Sequence, residues 1–450
     1  MSATSFFDMP RTARYALRWI SLPECLAPAG LPPAMRGGRP IASMVQADML
    51  IEDGRIAAIQ PAGTLPAAMG PDLGQSMVLP GMPDVHAHLD KGHIWPRMPN
   101  PTGDAVGAAM ATSEDRSARW TAEDVERRME FGLMTAYAKG VVAIRTHLDS
   151  LAPQAAISFP VFETLRARWA GRIDLQVSSI APLDLFLTDE GRQLADTVAH
   201  AQGQLGCMTR FRSLPNVPMP PEFDQAMGNL FRLAAERGLD VDLHVDESGD
   251  REARTLLRVA ELARRDGFEG DILCGHCCSL SLQDDDVIEA TLDACVQARV
   301  DIVTLPAVNL YLQSRQAGVT PRWRGVTLLH EMKARGLRVA IAGDNCRDPF
   351  YAYGDHDMLE TFSQAVKILH LDHPLGDWIR AATATPAEIM GLPQAGRIAP
   401  GAPADLIVLR ARDYSEMLSR FQSDRVVLRA GQAIDTTLPD YRMLDDLMAA

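Results

Sequence analysis

The stretch Met77-Val78-Leu79-Pro80-Gly81-Met82-Pro83-Asp84-Val85-His86-Ala87-His88 reads as a β-strand that ends in two histidines one residue apart. Alternate residues of a strand point to the same side, so one divalent ion can take both imidazoles. Two half-exposed histidines on an ordinary strand would look the same. The choice between these readings rests on what the rest of the chain brings to the same place.

From residue 77 onward, short β-like runs alternate with amphipathic helical runs. The strand candidates are 78–86, 141–148, 173–180, 207–212, 240–245, 271–276, 300–305 and 338–343. Most are rich in Val, Ile or Leu, as buried parallel strands are. Between them, Thr121 and Asp124 start a helix with an apolar stripe of Val125, Met129, Leu133 and Ala136, which Gly140 ends. Phe231, Leu233 and Ala234 mark a second helix, stopping at Gly238. Val287, Ile288, Leu292 and Val296 mark a third. Leu328, Leu329 and Met332 mark a fourth, ending at Gly336. Eight β units with intervening helices predict an α/β fold, a (β/α)8 TIM-type barrel. A doubly wound sheet would show a Gly-rich phosphate turn after its first strand, and none stands there.

The flanks read differently. Met49–Ile59 is a hairpin around Asp53-Gly54. Ala404–Leu409 and Arg425–Gly431 read as further strands. Neither flank alone has enough strands to bury a core. The expectation is therefore a composite β-sandwich from 1–77 and 392–450 beside a barrel over 78–391. Residues 92–120, rich in Pro, Gly and Met, read as a long lid-like connection before the first helix.

Composition narrows the function. The chain has 450 residues, 47% hydrophobic and 23% charged, ample for a large core. Its net charge of −14 and scattered Arg and Lys lack the clustered basic footprint of nucleic-acid binding. No run approaches a membrane span, and the first residues lack a signal-peptide pattern. The expected location is the cytoplasm. The expected partners are a small substrate and further copies of the chain in a homo-oligomer, with no nucleic acid and no membrane. Seven cysteines do not make a disulfide framework in so long a chain. Cys274-Gly275-His276-Cys277 has dithiol spacing, but it ends a strand instead of opening a helix, so a redox role is not expected.

Active sites of such barrels lie at the C-terminal strand ends. There stand His86 and His88, then Arg145-Thr146-His147-Leu148-Asp149, His244-Val245-Asp246-Glu247, Gly275-His276 and Gly343-Asp344-Asn345. His86, His88, His244 and Asp344 offer three nitrogens and a carboxylate, suited to one Zn2+, Fe2+ or Mn2+ per subunit with a position left for water. Such an ion makes water a nucleophile at neutral pH. Asp344 can take that proton, Glu247 can carry protons onward, and His276 can hydrogen-bond the developing oxyanion. Asp344 would otherwise cap a helix, and His276 would be a core histidine. His147 is read as lying behind the ligands. His93, His200, His330, His356, His370 and His373 are read as solvated or structural. A binuclear centre would want a bridging carboxylate, often a carbamylated lysine on strand four, which offers Arg210 and Arg212 instead.

With these pieces assembled, the sequence resembles the amidohydrolase superfamily, and within it the cytosine deaminase group. The resemblance runs from about Met49 to Val427. It is carried by Leu79–Asp90, Arg145–Asp149, His244–Glu247, Gly275-His276, Pro306–Gln313, Gly343–Tyr351 and Gly396–Leu406. It implies one catalytic metal, usually zinc or iron, on His86, His88, His244 and Asp344, with Glu247 and His276 in proton transfer. It implies that water activated by the metal attacks the amino-bearing carbon of a cytosine-like N-heterocycle and that ammonia leaves. Two departures matter. Cytosine deaminases carry a base-reading glutamine beyond strand three, where Ala181-Pro182-Leu183-Asp184 stands here. They also carry a second aspartate where this chain has Asn345.

A lost polar partner for one ring edge changes discrimination, since an unpaired buried polar group costs about 1–3 kcal/mol. Isocytosine, pterins and aminotriazines therefore become candidate substrates, as does hydrolysis of an N-alkylaminotriazine or cyclic amide. Candidate substrate contacts are Lys91, Trp95, Asp184, Arg210, Asn309 and Asn345. A catalytically silent scaffold would be expected to have lost ligands, and this chain retains all four.

Overall fold

The computed structural model describes residues 9–212 and 217–449. They fall into two compact units. One holds the described residues through Pro83, with Met134–Ala143 and Asp357–Leu438. The other holds Asp84–Leu133, Ile144–His356 and the described residues from Pro439.

In the first unit, β1 (Arg14–Pro23), β2 (Pro33–Arg36), β3 (Arg39–Glu52) and β4 (Arg55–Pro61) form an antiparallel sheet in which β3 pairs with the other three. The expected hairpin is β3–β4. Its turn residues Asp53 and Gly54 both have positive φ, the conformation that Asp-Gly turns supply. Strands β1 and β2 were not among the expected elements, although a two-residue Gly37-Gly38 turn, both glycines at positive φ, joins β2 to β3. A second sheet contains β5 (Val78–Pro80) and three strands from the far end of the sequence, given below. Tyr15, Leu17, Ile20, Val45, Met49, Ile51, Val78, Leu406, Val408 and Leu428 belong to one buried cluster lined by both sheets.

The run 78–86 is two strands. After β5 the chain breaks at Gly81 and resumes as β6 (Met82–Ala87). A side chain at Gly81 would collide with Val142, its Cβ lying 2.2 Å from Cγ1. Then follow β7 (Val141–Asp149), β8 (Asp174–Ile180), β9 (Leu205–Met208), β10 (Val241–Val245), β11 (Ile272–His276), β12 (Val300–Thr304) and β13 (Val339–Ile341). These eight correspond to the eight expected runs, although the fourth is shorter and ends before Arg210 and Arg212. Strands β14 (Leu406–Val408), β15 (Val426–Arg429) and β16 (Gln432–Ala433) complete the first unit's second sheet, ordered β16-β15-β14-β5.

Strands β9 to β13 form a parallel sheet in sequential order, and β6, β7 and β8 form another sheet. Parallel bridges Ser178–Gln204 and Ala87–Asp344 connect the two sets at both sides. Strands β7, β10, β11 and β12 are buried at every residue, which is why they read as continuous apolar runs.

The connection 92–120 is not loop throughout. Residues Ala105–Arg119 form a helix whose N-cap, Asp104, accepts from the Gly107 amide at 2.8 Å. Its sequence is Ala-rich, with Val106 and Met110 as its only large apolar residues, and gives little apolar periodicity, so the helix is not legible in the sequence. The helix expected at Thr121 spans Ala122–Lys139, and the other three expected helices span Phe223–Ala235, Asp285–Ala298 and Leu329–Ala334. Val296, read as part of an apolar stripe, is exposed. Among the described residues no helix is long and apolar enough to cross a membrane.

Candidate metal centre and active site

Strand ends bring the expected groups together. His86 lies on β6, and His88 follows its end. His244 lies on β10, His276 ends β11, and Asp344 follows β13. The His88 amide donates to the Asp344 carbonyl at 3.3 Å, and the Asp344 amide donates to the His86 carbonyl at 2.8 Å. Backbone pairing thus fixes the first and last ligand-bearing segments to each other. Gly275 leaves room for the His86 ring, since a Cβ there would lie 3.1 Å from the ring carbon Cε1.

The Nε2 atoms of His88 and His244 are 3.2 Å apart. An Asp344 carboxylate oxygen lies 3.2 Å from His88 Nε2 and 3.6 Å from His86 Nε2. Ligands held about 2.1 Å from one tetrahedral ion are themselves about 3.4 Å apart, so these separations fit a shared cation. Electrostatics point the same way. Burial pulls His86, His88 and His244 far below the ordinary histidine range, leaving neutral imidazoles. Burial and the neighbouring Glu247 push Asp344 well above the ordinary carboxylate range. Both Asp344 oxygens and both His86 nitrogens are buried without a hydrogen-bond partner. Buried polar atoms of this kind are costly unless something binds them, and a divalent cation would satisfy all four residues. Behind them, the His147 ring lies 4.0 Å from that of His86, tilted by 39°, and faces Asp242 at 3.7 Å. Asp242, pushed by burial to about 6, also accepts from Arg145 at 3.2 Å. Asp242 was not singled out from the sequence, although it stands two residues before His244 on the same strand face.

Glu247 and His276 meet through Asn309. The Asn309 side-chain nitrogen lies 3.4 Å from the Glu247 carboxylate and 3.0 Å from His276 Nδ1. A carboxylate only accepts, so this Asn309 atom is the NH2 group. Nδ1 of His276 is then the acceptor, and the ring proton sits on Nε2, which has no protein partner. Asp246 turns the chain here. It has positive φ, and its carboxylate accepts from Thr255 at 2.6 Å and from the Leu256 amide at 3.0 Å, tying down the start of helix Thr255–Arg265.

A cavity of about 460 Å3 opens over these groups and is lined by His88, Glu247, His276 and Asp344. Of the candidate substrate contacts, Lys91, Arg210 and Asn345 also line it. Lys91 is ion-paired with Asp149 at 3.0 Å, and Asn345 donates to Asp348 at 2.7 Å. Burial alone would lower Lys91, but Asp149 and Asp90 raise it on balance and keep it charged. Asn309 sits behind His276 instead of in the wall. Trp95 and Asp184 are not part of the lining formed by the described residues. The Trp95 amide is tied to the Arg347 carbonyl, and the Asp184 carboxylate accepts from the Arg212 amide at 2.8 Å. Ile180, Met208, Gln313, Arg315 and Phe350 supply wall that the sequence reading had not picked out. Ile180 and Met208 end β8 and β9, while Gln313, Arg315 and Phe350 arrive on loops. Cys274, Cys277 and Cys278 are buried, with thiols pushed up by burial, and the chain continues from β11 into a short 3-10 turn.

Known proteins are similar to this chain in sequence and in fold. The model of the amidohydrolase family matches residues 175–433. Over 449 residues, 99% of each chain, the sequence is 49% identical to a pterin deaminase of Rhizobium rhizogenes. It is 23% identical over 387 residues, 80% of this chain and 87% of the other, to an N-isopropylammelide isopropyl amidohydrolase of Pseudomonas. The fold is similar to that of 5-methylcytosine deaminase from Klebsiella pneumoniae, with a TM-score of 0.78 and 22% identity over 94% of this chain and 98% of that one. With half the sequence under the family model and a full-length relative at this identity, the chain belongs to the amidohydrolase family and is a hydrolase of carbon–nitrogen bonds.

Proposed function

We propose that this protein is a metal-dependent aminohydrolase of a pterin-type heterocycle, replacing the ring's exocyclic amino group with oxygen and releasing ammonia. One observation carries the substrate class: the full-length 49% identity to a pterin deaminase. The cavity supports it, being wide enough for a fused bicycle above the ligands. So do the two sequence departures from cytosine deaminases. The cytosine-like ring considered first therefore gives way to the pterin named among its alternatives. A pterin still presents a 2-amino-4-oxopyrimidine edge, so the same chemistry applies.

His86, His88, His244 and Asp344 would hold one Zn2+ or Fe2+. When bound, such an ion polarises water enough to make it a nucleophile at neutral pH. The chain's own groups do the rest. Glu247, reaching the cavity, accepts a proton and returns it to the ring nitrogen or the leaving amine. Asn309 holds Glu247 and His276 in register. The Nε2–H of His276 donates to oxygen where negative charge develops. Lys91, Arg210 and Asn345 bind the polar rim of the heterocycle.

The same reading takes β6 to β13 as a closed (β/α)8 barrel and the two antiparallel sheets as a composite sandwich, with boundaries near 77 and 392. It places a homo-oligomer in the cytoplasm.

The test is ammonia release and loss of substrate absorbance with purified, metal-loaded protein on pterin, cytosine, isocytosine and guanine. The expected order puts pterin first in kcat/KM. Turnover of cytosine with none of pterin overturns the substrate assignment.

A further inference from the structure

Away from the catalytic cavity, three more potential ligands converge. His93 follows the loop that carries His88. Cys346 lies two residues after Asp344. His356 ends the same loop, ahead of the helix Met358–Leu369. Their donor atoms all lie within 4.8 Å of one another. His93 and Cys346 are 2% exposed and His356 8%. The sequence reading had set both histidines aside as solvated or structural. His200, His330, His370 and His373 are indeed exposed, but this pair is not.

Two facts separate this cluster from an ordinary buried polar spot. Neither nitrogen of the His93 ring has a hydrogen-bond partner, nor does Nε2 of His356. Buried ring nitrogens are almost always bonded to something. The backbone has also been arranged to bring the residues together. The His93 amide donates to the Cys346 carbonyl at 3.1 Å, and His93, Arg347 and His356 all take positive φ. Phe131 packs edge-on against His93 at 4.8 Å, and Tyr441 stacks on Phe131 at 5.4 Å, roofing the cluster. The chemistry matches a borderline-soft ion. Burial keeps both imidazoles neutral, His356 near 4. The Cys346 thiol would lose its proton on binding. Two imidazoles and a thiolate are zinc ligands.

We infer that His93, Cys346 and His356 form a second metal site, structural in role, for one divalent cation of the Zn2+ class. The ion would tie the loop following His88 to the loop following Asp344. It would thereby brace the two segments that present catalytic ligands, without touching substrate.

The test uses the full-length protein loaded with Co2+ in place of its native metal. The catalytic donor set contains no sulfur, so a thiolate-to-cobalt charge-transfer band in the near ultraviolet reports the second site alone. The expected result is two ions per chain by elemental analysis and that band in the unmodified protein. Cys346→Ser and His93→Gln should each lose the band and one ion, while the visible bands of the other cobalt remain. One ion per chain with no charge-transfer band overturns the proposal, and so does a band that survives in C346S. The unmodified protein decides the matter even if a variant fails to fold. A chain that shows only the thiolate-bound ion would leave this site standing and remove the catalytic one.

Discussion

Replacing Glu247 by glutamine separates proton carriage from architecture. The carboxylate is not among the four proposed ligands, so metal content should not change. Its carboxylate lies 3.5 Å from His276 Nδ1 and accepts a hydrogen bond from the Asn309 amide at 3.4 Å. Glutamine retains an oxygen that can accept that bond, and a bond of this length is worth no more than about 0.5–1.5 kcal/mol. Stability should therefore shift by less than about 1 kcal/mol. What glutamine cannot do is accept and return a proton. A positioned general acid–base contributes about 10²–10⁴-fold, or about 2.7–5.4 kcal/mol of barrier. The expected outcome is a kcat down by about 10²–10⁴-fold, with an unchanged ion count and denaturant midpoint. The assay is initial-rate ammonia release alongside elemental analysis of the same sample. A variant that keeps kcat within about threefold, with its metal retained, would refute proton carriage by Glu247 and leave it a wall residue.

Asp344→Asn removes the negative ligand and should lower both metal occupancy and turnover, by at least about 10³-fold in kcat; full occupancy with near-native kcat would exclude Asp344 from both roles. Asn309→Leu frees the His276 ring to change tautomer and should cost about 10–100-fold in kcat with little change in KM, checked by steady-state kinetics on the substrate that turns over fastest. Asp357→Ala leaves Arg425 buried and unpaired: the two are 2.6 Å apart and both almost fully enclosed, so about 3–5 kcal/mol of unfolding free energy should be lost. Burial opposes ionisation of Asp357, but Arg425 and Lys139 outweigh it and hold its pKa low. The pair's stabilisation is therefore complete above about pH 4 and disappears as pH falls through the depressed native value; urea melts of D357A and the unmodified protein should converge at low pH.

The proposed ligand cluster was legible because each of its residues sits at or just after the end of a strand whose apolar run could be read. His86, His88, His244 and Asp344 come from three separate stretches, yet one rule of topology places them together. Much of the cavity wall obeyed no such rule, although Ile180 and Met208 do end strands. Phe350 and Arg315 reach it from loops, and Trp95 and Asp184, equally plausible by position, are held in loop contacts outside it. Loop paths depend on long-range packing, which periodicity does not encode. The same limit explains the helix Ala105–Arg119, whose small residues leave no stripe to read, and His93 and His356, which looked like isolated histidines.

A histidine's neighbours in sequence say little when its ligand partners arrive from another loop. What identifies such a residue is burial without a partner, and burial is a property of the folded chain. His93 and His86 present that one signature, two buried ring nitrogens with nothing bonded to them. For His86 a strand motif had already indicated why. If unpartnered burial means a ligand at His86, the same physical cost requires an explanation at His93, and Cys346 and His356 are the groups that lie close enough to share it.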